Sequence, residues 1–249
     1  MELSYTVFDP TGNITILVQT SVPVAEQPRI AAALMAREPD CEQVCFRMPD
    51  TPLAGITVRM AGGEFCGNAS MSAAAALCAE RELESAAVTV AIGGLLVPVT
   101  AEKTGEGRFR CAVAMPRPLR VTEAFGLPLV ELPGISHLIA AGPMAREAAE
   151  AAIRGWCREL GADALGLMLL SEGGRRLDPL VYVPQADTLF WERSCASGTA
   201  AVGVWAGPGT ALSLTEPGGT LTVRTAFDGA VTLEGEVRLA RQRKCILSI

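Results

Sequence analysis

Two cysteines carry the chemistry that this sequence is equipped to do. Cys66 lies in Ala61-Gly62-Gly63-Glu64-Phe65-Cys66-Gly67-Asn68-Ala69-Ser70, whose glycines let the backbone turn sharply and approach a ligand. The residues that follow, Met71 to Ala79, are small and alanine-rich and favour a helix. Cys195 repeats the arrangement in Phe190-Trp191-Glu192-Arg193-Ser194-Cys195-Ala196-Ser197-Gly198: an apolar run, an acid, the cysteine, then small residues opening a helix. A helix start offers unpaired N–H donors and partial positive charge, so it binds carboxylates and stabilises a thiolate. There a cysteine is expected to titrate below its usual value of about 8.5, between roughly 3.5 and 7.5. Two such thiols facing one carbon could remove a proton from one side and return one from the other. Two buried structural thiols, or a pair closing a redox-switch disulfide, would use the same residues.

The neighbours sharpen this reading unevenly. Glu192, three residues before Cys195, can take or hold its proton at a site entrance, whereas Glu64 reads as a solvated strand-end charge. His137 is the single histidine, either a satisfied core residue or a catalyst. Arg193 is structural or neutralises an anion. Cys78, Cys111, Cys157 and Cys245 are expected to be small buried hydrophobes. Cys41 and Cys45 have no second pair, so no metal site is expected. Gly207-Pro208-Gly209 lacks the third glycine of a dinucleotide loop and the lysine of a P-loop.

The bulk of the chain fits a folded enzyme. Its 249 residues are enough for one large domain or two ordinary ones, and 49% hydrophobic residues fill a core. A net charge of −6 without a Lys/Arg-rich run argues against nucleic acid. The start, Met1-Glu2-Leu3-Ser4-Tyr5-Thr6-Val7, lacks the pattern of a signal peptide, and no apolar run reaches the roughly 18 residues of a membrane span. A cytoplasmic protein with reduced thiols is expected, and Asn13-Ile14-Thr15 and Asn68-Ala69-Ser70 are sequons on paper alone.

The elements that must position the cysteines follow from pattern. Strands are expected over 3–8, 14–20, 43–48 and 56–60, with a helix over 28–37 whose buried face carries Ile30, Leu34 and Met35. After the first cysteine helix, Gly93-Gly94 signals a hairpin between 87–92 and 95–99, and 108–115 adds a strand. Met115-Pro116-Arg117-Pro118 reads as a linker, dividing the chain into 1–117 and 118–249, with the last strand free to return to the first half. Strands are then expected at 137–140, 165–170 and 180–183. A helix over 145–160 should bury Ala148, Ala152, Trp156 and Leu160. Gly218-Gly219 should open a hairpin between 221–224 and 231–233. The order of strands, helix, strands, cysteine-capped helix and hairpin runs twice, an approximate internal duplication.

At Glu64-x-Cys66-Gly67-Asn68-Ala69 and Glu192-Arg193-Ser194-Cys195-x-Ser197-Gly198-Thr199 the chain resembles the diaminopimelate epimerase and proline racemase superfamily. Gly12-Asn13, Glu42-Gln43 and Gly134-Ile135-Ser136-His137 fall in the same order, so the resemblance covers nearly the whole chain. It implies an α+β fold of two pseudo-symmetric halves, each a β-barrel-like sheet wrapped around a central helix. Asn13, Gln43, Arg193 and the N–H groups of Gly67, Asn68, Ala196 and Ser197 would hold the substrate's amino-acid head. His137 would partner Cys66, and Glu192 would partner Cys195. The activity implied is 1,1-proton transfer at Cα of an amino acid, with no cofactor and with a homodimer left open. Departures point within the superfamily. The epimerases place a longer loop between Glu-Arg and the second cysteine, and their distal-carboxylate asparagine aligns with Ala164. The style of the motifs is closer to the histidine racemases of opine-type metallophore synthesis. A diaminopimelate or hydroxyproline epimerase and a non-enzymatic redox or binding protein are the other readings.

Overall fold

The computed structural model describes residues 1–142 and 144–247. The first nine elements are strands β1 (Glu2–Pro10) and β2 (Thr15–Val18), helix α1 (Gln27–Arg37), strands β3 (Gln43–Arg47) and β4 (Ile56–Met60), helix α2 (Gly67–Glu80), and strands β5 (Ser85–Ile92), β6 (Leu95–Gly105) and β7 (Arg108–Met115). Then come β8 (Arg120–Ala124), β9 (Leu127–Leu132), β10 (Ile135–Ala140) and helix α3 (Arg146–Leu160). Strands β11 (Leu165–Ser171), β12 (Arg176–Val183) and β13 (Thr188–Trp191) lead to helix α4 (Ala196–Ala206). Strands β14 (Thr210–Glu216), β15 (Gly219–Thr225) and β16 (Val231–Ile246) complete the chain. This is a mixed α+β fold, rich in strand, with a barrel-like sheet and few helices.

The chain divides into two compact units, Met1–Ala114 with Glu234–Ile249, and Met115–Leu233. In the first, the strands run β1-β2-β3-β4-β5-β6-β7-β16, and β16 pairs back onto β1 from Glu2↔Ile246 to Pro10↔Val237. Helix α2 packs against β1, β2, β4, β5 and β6, and Gly67 to Cys78 is buried without a break. Its alanines permit that close approach, because small side chains let a helix sit near many strands at once. Helix α1 covers another face, burying Ile30 and Leu34 with Ile16 and Phe46. Gly93 and Gly94, at φ +57° and +75°, form the tight turn between Ile92 and Leu95 that their sequence signals.

In the second unit the strands run β8-β9-β10-β11-β12-β14-β15, with β13 on β12. Strand β11 is buried on both faces from Leu165 to Leu170, so its sequence reads as a continuous apolar run rather than an alternating one. Leu138, Leu167 and Leu180 face α3 residues Ile153 and Cys157, whereas Ile139, Met168 and Val181 pack with α4 residues Ala201 and Val202.

Several expectations are corrected here. Helix α3 buries Ala149, Ile153 and Cys157, one position on from the expected stripe. Trp156 and Leu160 pack at its margin, Trp156 stacked on Phe125 with centroids 5.0 Å apart. The Gly218-Gly219 turn joins β14 to β15, with Glu216 opposite Gly219, and not the segments 221–224 and 231–233. Strands β8, β9 and β14 were not expected, since Pro128, Gly126 and Gly209 punctuate them like loops. The expected strand over 14–20 stops at Val18. Met35 and Cys245 are half-buried.

Candidate functional site

Cys66 is the N-cap of α2, with extended backbone at φ −142° and ψ +119°. Its Sγ accepts the Ala69 N–H at 3.4 Å, and its carbonyl accepts both the N–H and the hydroxyl of Ser70. Three hydrogen bonds fix what faces the thiol. The Thr15 hydroxyl donates to the Asn13 carbonyl at 3.0 Å, so it accepts the Gln43 amide N–H at 2.7 Å. That turns the Gln43 Oε1 toward Cys66, whose thiol donates to it at 3.3 Å. Asn13, Gln43, Cys66, Gly67 and Asn68 therefore gather in one region of the first unit, Asn13 and Asn68 both buried. Glu64 is exposed, as its reading required. The loop carrying Cys66 is braced by Arg59, which donates to Gln27 Oε1 and to the carbonyls of Met60 and Ala61. Neither Thr15 nor Arg59 was singled out from sequence, because nothing local marks a threonine or an arginine whose partner lies about 30 residues away.

Cys195 is the N-cap of α4, likewise extended. Its Sγ lies 3.6 Å from the Ser197 hydroxyl, with the Glu192 carboxyl group as its acidic neighbour. Sequence reasoning expected a lowered titration. The reverse holds for Cys195, whose thiol is pushed well up by burial first and then by the negative charge of Glu192 and Glu216. Burial of the sulfur, with Glu192 and Glu216 adding to it, outweighs the partial charge of a helix start. Glu192 itself is pushed up to about 7 by burial, against the hydrogen bond from Cys195. Ala196 follows in the buried first turn, while Arg193 is exposed, its carbonyl accepting the Gly218 N–H.

His137 stands on β10, opposite Gly166 of β11, and is fully buried. Its ring fills the space that a Gly166 side chain would occupy, with the Met168 methyl beside it. Met168 Sδ also presses on Gly198 in the first turn of α4, so His137 and Cys195 pack around one methionine. Neither ring nitrogen has a hydrogen-bond partner among the described residues. Burial pushes the imidazole down to about 3. The folded protein therefore resists a proton that the unfolded chain takes near 6.5. The stability from keeping His137 neutral is complete above pH 6.5 and is lost as pH falls toward 3, at about 1.4 kcal/mol per pH unit. His137→Gln should flatten that dependence: urea midpoints measured from pH 7 to 3.5 should fall further in the wild type. Parallel curves would remove the buried imidazole as the cause.

Among the described residues, Glu38, Asp40 and Cys41 bring metal-ligand atoms within 4.8 Å of one another. Arg241 already lies on both carboxylates at 2.6 Å, supplying the positive charge there. All eight cysteines are free thiols. No helix among the described residues is long and apolar enough to cross a membrane.

The model of the histidine racemase CntK N-terminal domain matches residues 2–244. The chain belongs to the histidine racemase family. A histidine racemase of Staphylococcus aureus is 30% identical over 228 residues, spanning 82% of this chain and 79% of that protein. One from Fusobacterium nucleatum is 28% identical over 219 residues, spanning 82% and 81%. Two solved structures are similar in fold. A predicted epimerase of Pseudomonas aeruginosa has a TM-score of 0.74 at 18% identity, covering 99% of this chain and 100% of its own. A hydroxyproline epimerase of Agrobacterium vitis with bound trans-4-hydroxy-L-proline has a TM-score of 0.71 at 14% identity, covering 100% and 93%. This family member is an isomerase, of the amino-acid racemase kind.

Proposed function

We propose that the enzyme interconverts the enantiomers of histidine by moving the α-proton between Cys66 and Cys195. The observation that carries the reading is that each cysteine is the N-cap of a helix, Cys66 facing the Gln43 carbonyl oxygen and Cys195 with Glu192 as its acidic neighbour. The thiolate of one cysteine takes the Cα proton and becomes a thiol. The electron pair left on carbon delocalises into the α-carboxylate, giving an enediolate-like state. The other thiol then delivers its proton to the opposite face and is left as the thiolate.

The α-carbon acid is weak, so charge must be stabilised where it develops. Backbone N–H groups of Gly67, Asn68, Ala196 and Ser197 would serve the carboxylate, and loss of one such donor typically costs about 10²–10³ in rate. Asn13, Gln43 and Arg193 would hold the rest of the amino-acid head. His137 would act with Cys66, and Glu192 with Cys195. The raised Cys195 thiol favours its protonated form at rest. Histidine as substrate rests on the 30% identity to a histidine racemase. The proposal extends to two pseudo-symmetric halves, 1–117 and 118–249 with the last strand returning. Each half would wrap a sheet around one helix, α2 or α4. A cytoplasmic enzyme supplying D-histidine to an opine-type metallophore completes it.

In D2O, L-histidine should become D-histidine carrying deuterium at Cα without any added cofactor, as read by chiral chromatography with mass spectrometry. A panel of the other amino acids, hydroxyproline and diaminopimelate fixes the substrate. Exchange with one of those in preference to histidine overturns the substrate. No exchange with any overturns the activity and leaves a redox or binding protein.

A further inference from the structure

Glu216 is a buried acid that the mechanism above does not use. It ends β14, is 2% exposed, and reaches the first turn of α4. One carboxylate oxygen accepts the Cys195 N–H at 2.7 Å, and the other accepts the Thr199 hydroxyl. No cationic side chain pairs with it among the described residues, and its charged neighbours are Glu192 ahead of α4 and Asp178 on β12, the latter bound by Arg176. The two cysteines cap their helices differently: the Cys66 sulfur itself accepts a helix N–H, whereas the Cys195 sulfur makes no capping bond.

We propose that Glu216 is a positioning residue for Cys195, whose carboxyl group fixes the first turn of α4 from behind by holding the Cys195 N–H and the Thr199 hydroxyl together. An acceptor for both a main-chain N–H and a side-chain hydroxyl sets where the Cys195 sulfur points, since the residue is held at its own amide. Once ionised, the same group also adds to burial and Glu192 in raising the Cys195 thiol. Burial pushes Glu216 up to about 8 while its two hydrogen bonds pull the other way. Its charge therefore develops between about pH 7 and 9, the range in which a free thiol would otherwise ionise. As pH rises there, the forming carboxylate opposes the forming thiolate, and the ionisation of Cys195 is spread upward.

The inference rests on Cys195 being catalytic only for its effect on turnover; the coupling itself is read on the free enzyme. Glu216→Gln keeps an oxygen for the Cys195 N–H and removes the charge. Iodoacetamide labelling rates of Cys195 and Cys66, resolved by peptide mass spectrometry from pH 7 to 11, should show the rising limb of the Cys195 rate-against-pH curve displaced about one pH unit lower in Glu216→Gln. At pH 9 Cys195 should label roughly tenfold faster than in the wild type, with Cys66 unchanged. The same variant should lower kcat with little change in KM, and Glu216→Asp should restore part of the pH profile without restoring the rate. Coincident Cys195 labelling curves in wild type and folded Glu216→Gln overturn the proposal. Should Glu216→Gln fail to fold, Thr199→Val, which removes one of the two clamped groups, must displace the Cys195 rising limb in the same direction, and a limb unchanged or displaced upward overturns it too. Full racemisation by Cys195→Ser would end the two-thiol reading and leave the labelling result standing.

Discussion

Replacing either Cys66 or Cys195 by serine lowers kcat/KM for racemisation by about 10²–10⁴, the range for losing one positioned acid or base. A hydroxyl keeps the shape and the capping position but ionises far above any working pH, so it neither takes nor gives the α-proton at a useful rate. The two variants should also differ in kind. A proton can still be drawn from the face served by the surviving sulfur, exchanged with solvent and returned to the same face. Each variant should thus wash out the α-hydrogen of one enantiomer while hardly inverting it, and the two should prefer opposite enantiomers. Proton NMR of each enantiomer in D2O reads this directly. Undiminished racemisation in either variant removes the two-thiol mechanism, and identical enantiomer preference removes the assignment of one sulfur to each face.

Gly93→Ala carries the second large effect. Gly93 holds φ +57°, and a Cβ there would lie 2.5–2.8 Å from the main-chain atoms of Glu64 and Phe65. These atoms belong to the backbone immediately before Cys66 and have no rotamer to escape into. Strain at positive φ costs about 1–2 kcal/mol and overpacking about 1–3 more, a large part of a total stability of about 5–15 kcal/mol. Gly94 offers an internal control, since it holds φ +75° with nothing within 4 Å of its added Cβ. Gly94→Ala should therefore show the conformational cost alone. Gly93→Ala should exceed it by more than 1 kcal/mol in urea unfolding, an excess of the size overpacking gives. It should also reduce turnover, because the loop delivering Cys66 must shift. Equal stability and activity in the two variants would show that the β5–β6 turn does not brace this loop.

The parts legible in the sequence were those set by local chemistry. Both cysteines cap helices because glycine and alanine surround them, and Gly93-Gly94 makes its turn because both residues must adopt positive φ. The α3 stripe slipped by one position for a physical reason. Trp156 and Leu160 look like the heaviest apolar residues, yet their bulk suits the rim against Phe125, and the slimmer Ile153 and Cys157 fit the tight contact with β10 to β12. Glu216 was not legible at all. Beside Pro217-Gly218-Gly219 it looks like a solvated turn charge, and only the parallel pairing of β12 with β14 together with α4 buries it. Thr15 is similar: its role exists only once Gln43 arrives beside it through the parallel pairing of β2 and β3. The direction of the Cys195 titration was missed for the same cause, as it depends on acids brought from 21 residues downstream as well as from nearby.

The pairing of β1 with β16 has a consequence for biogenesis. Residues 115–233 are continuous and can begin to pack as soon as they leave the ribosome, whereas the unit holding Cys66 needs 234–247 to finish its ring of strands. Until that last stretch emerges, β1 and β7 present bare hydrogen-bonding edges to any neighbouring nascent chain. The part translated first is thus the part completed last, and a stop codon anywhere before residue 234 would leave the Cys66 ring open however well the middle of the chain had folded.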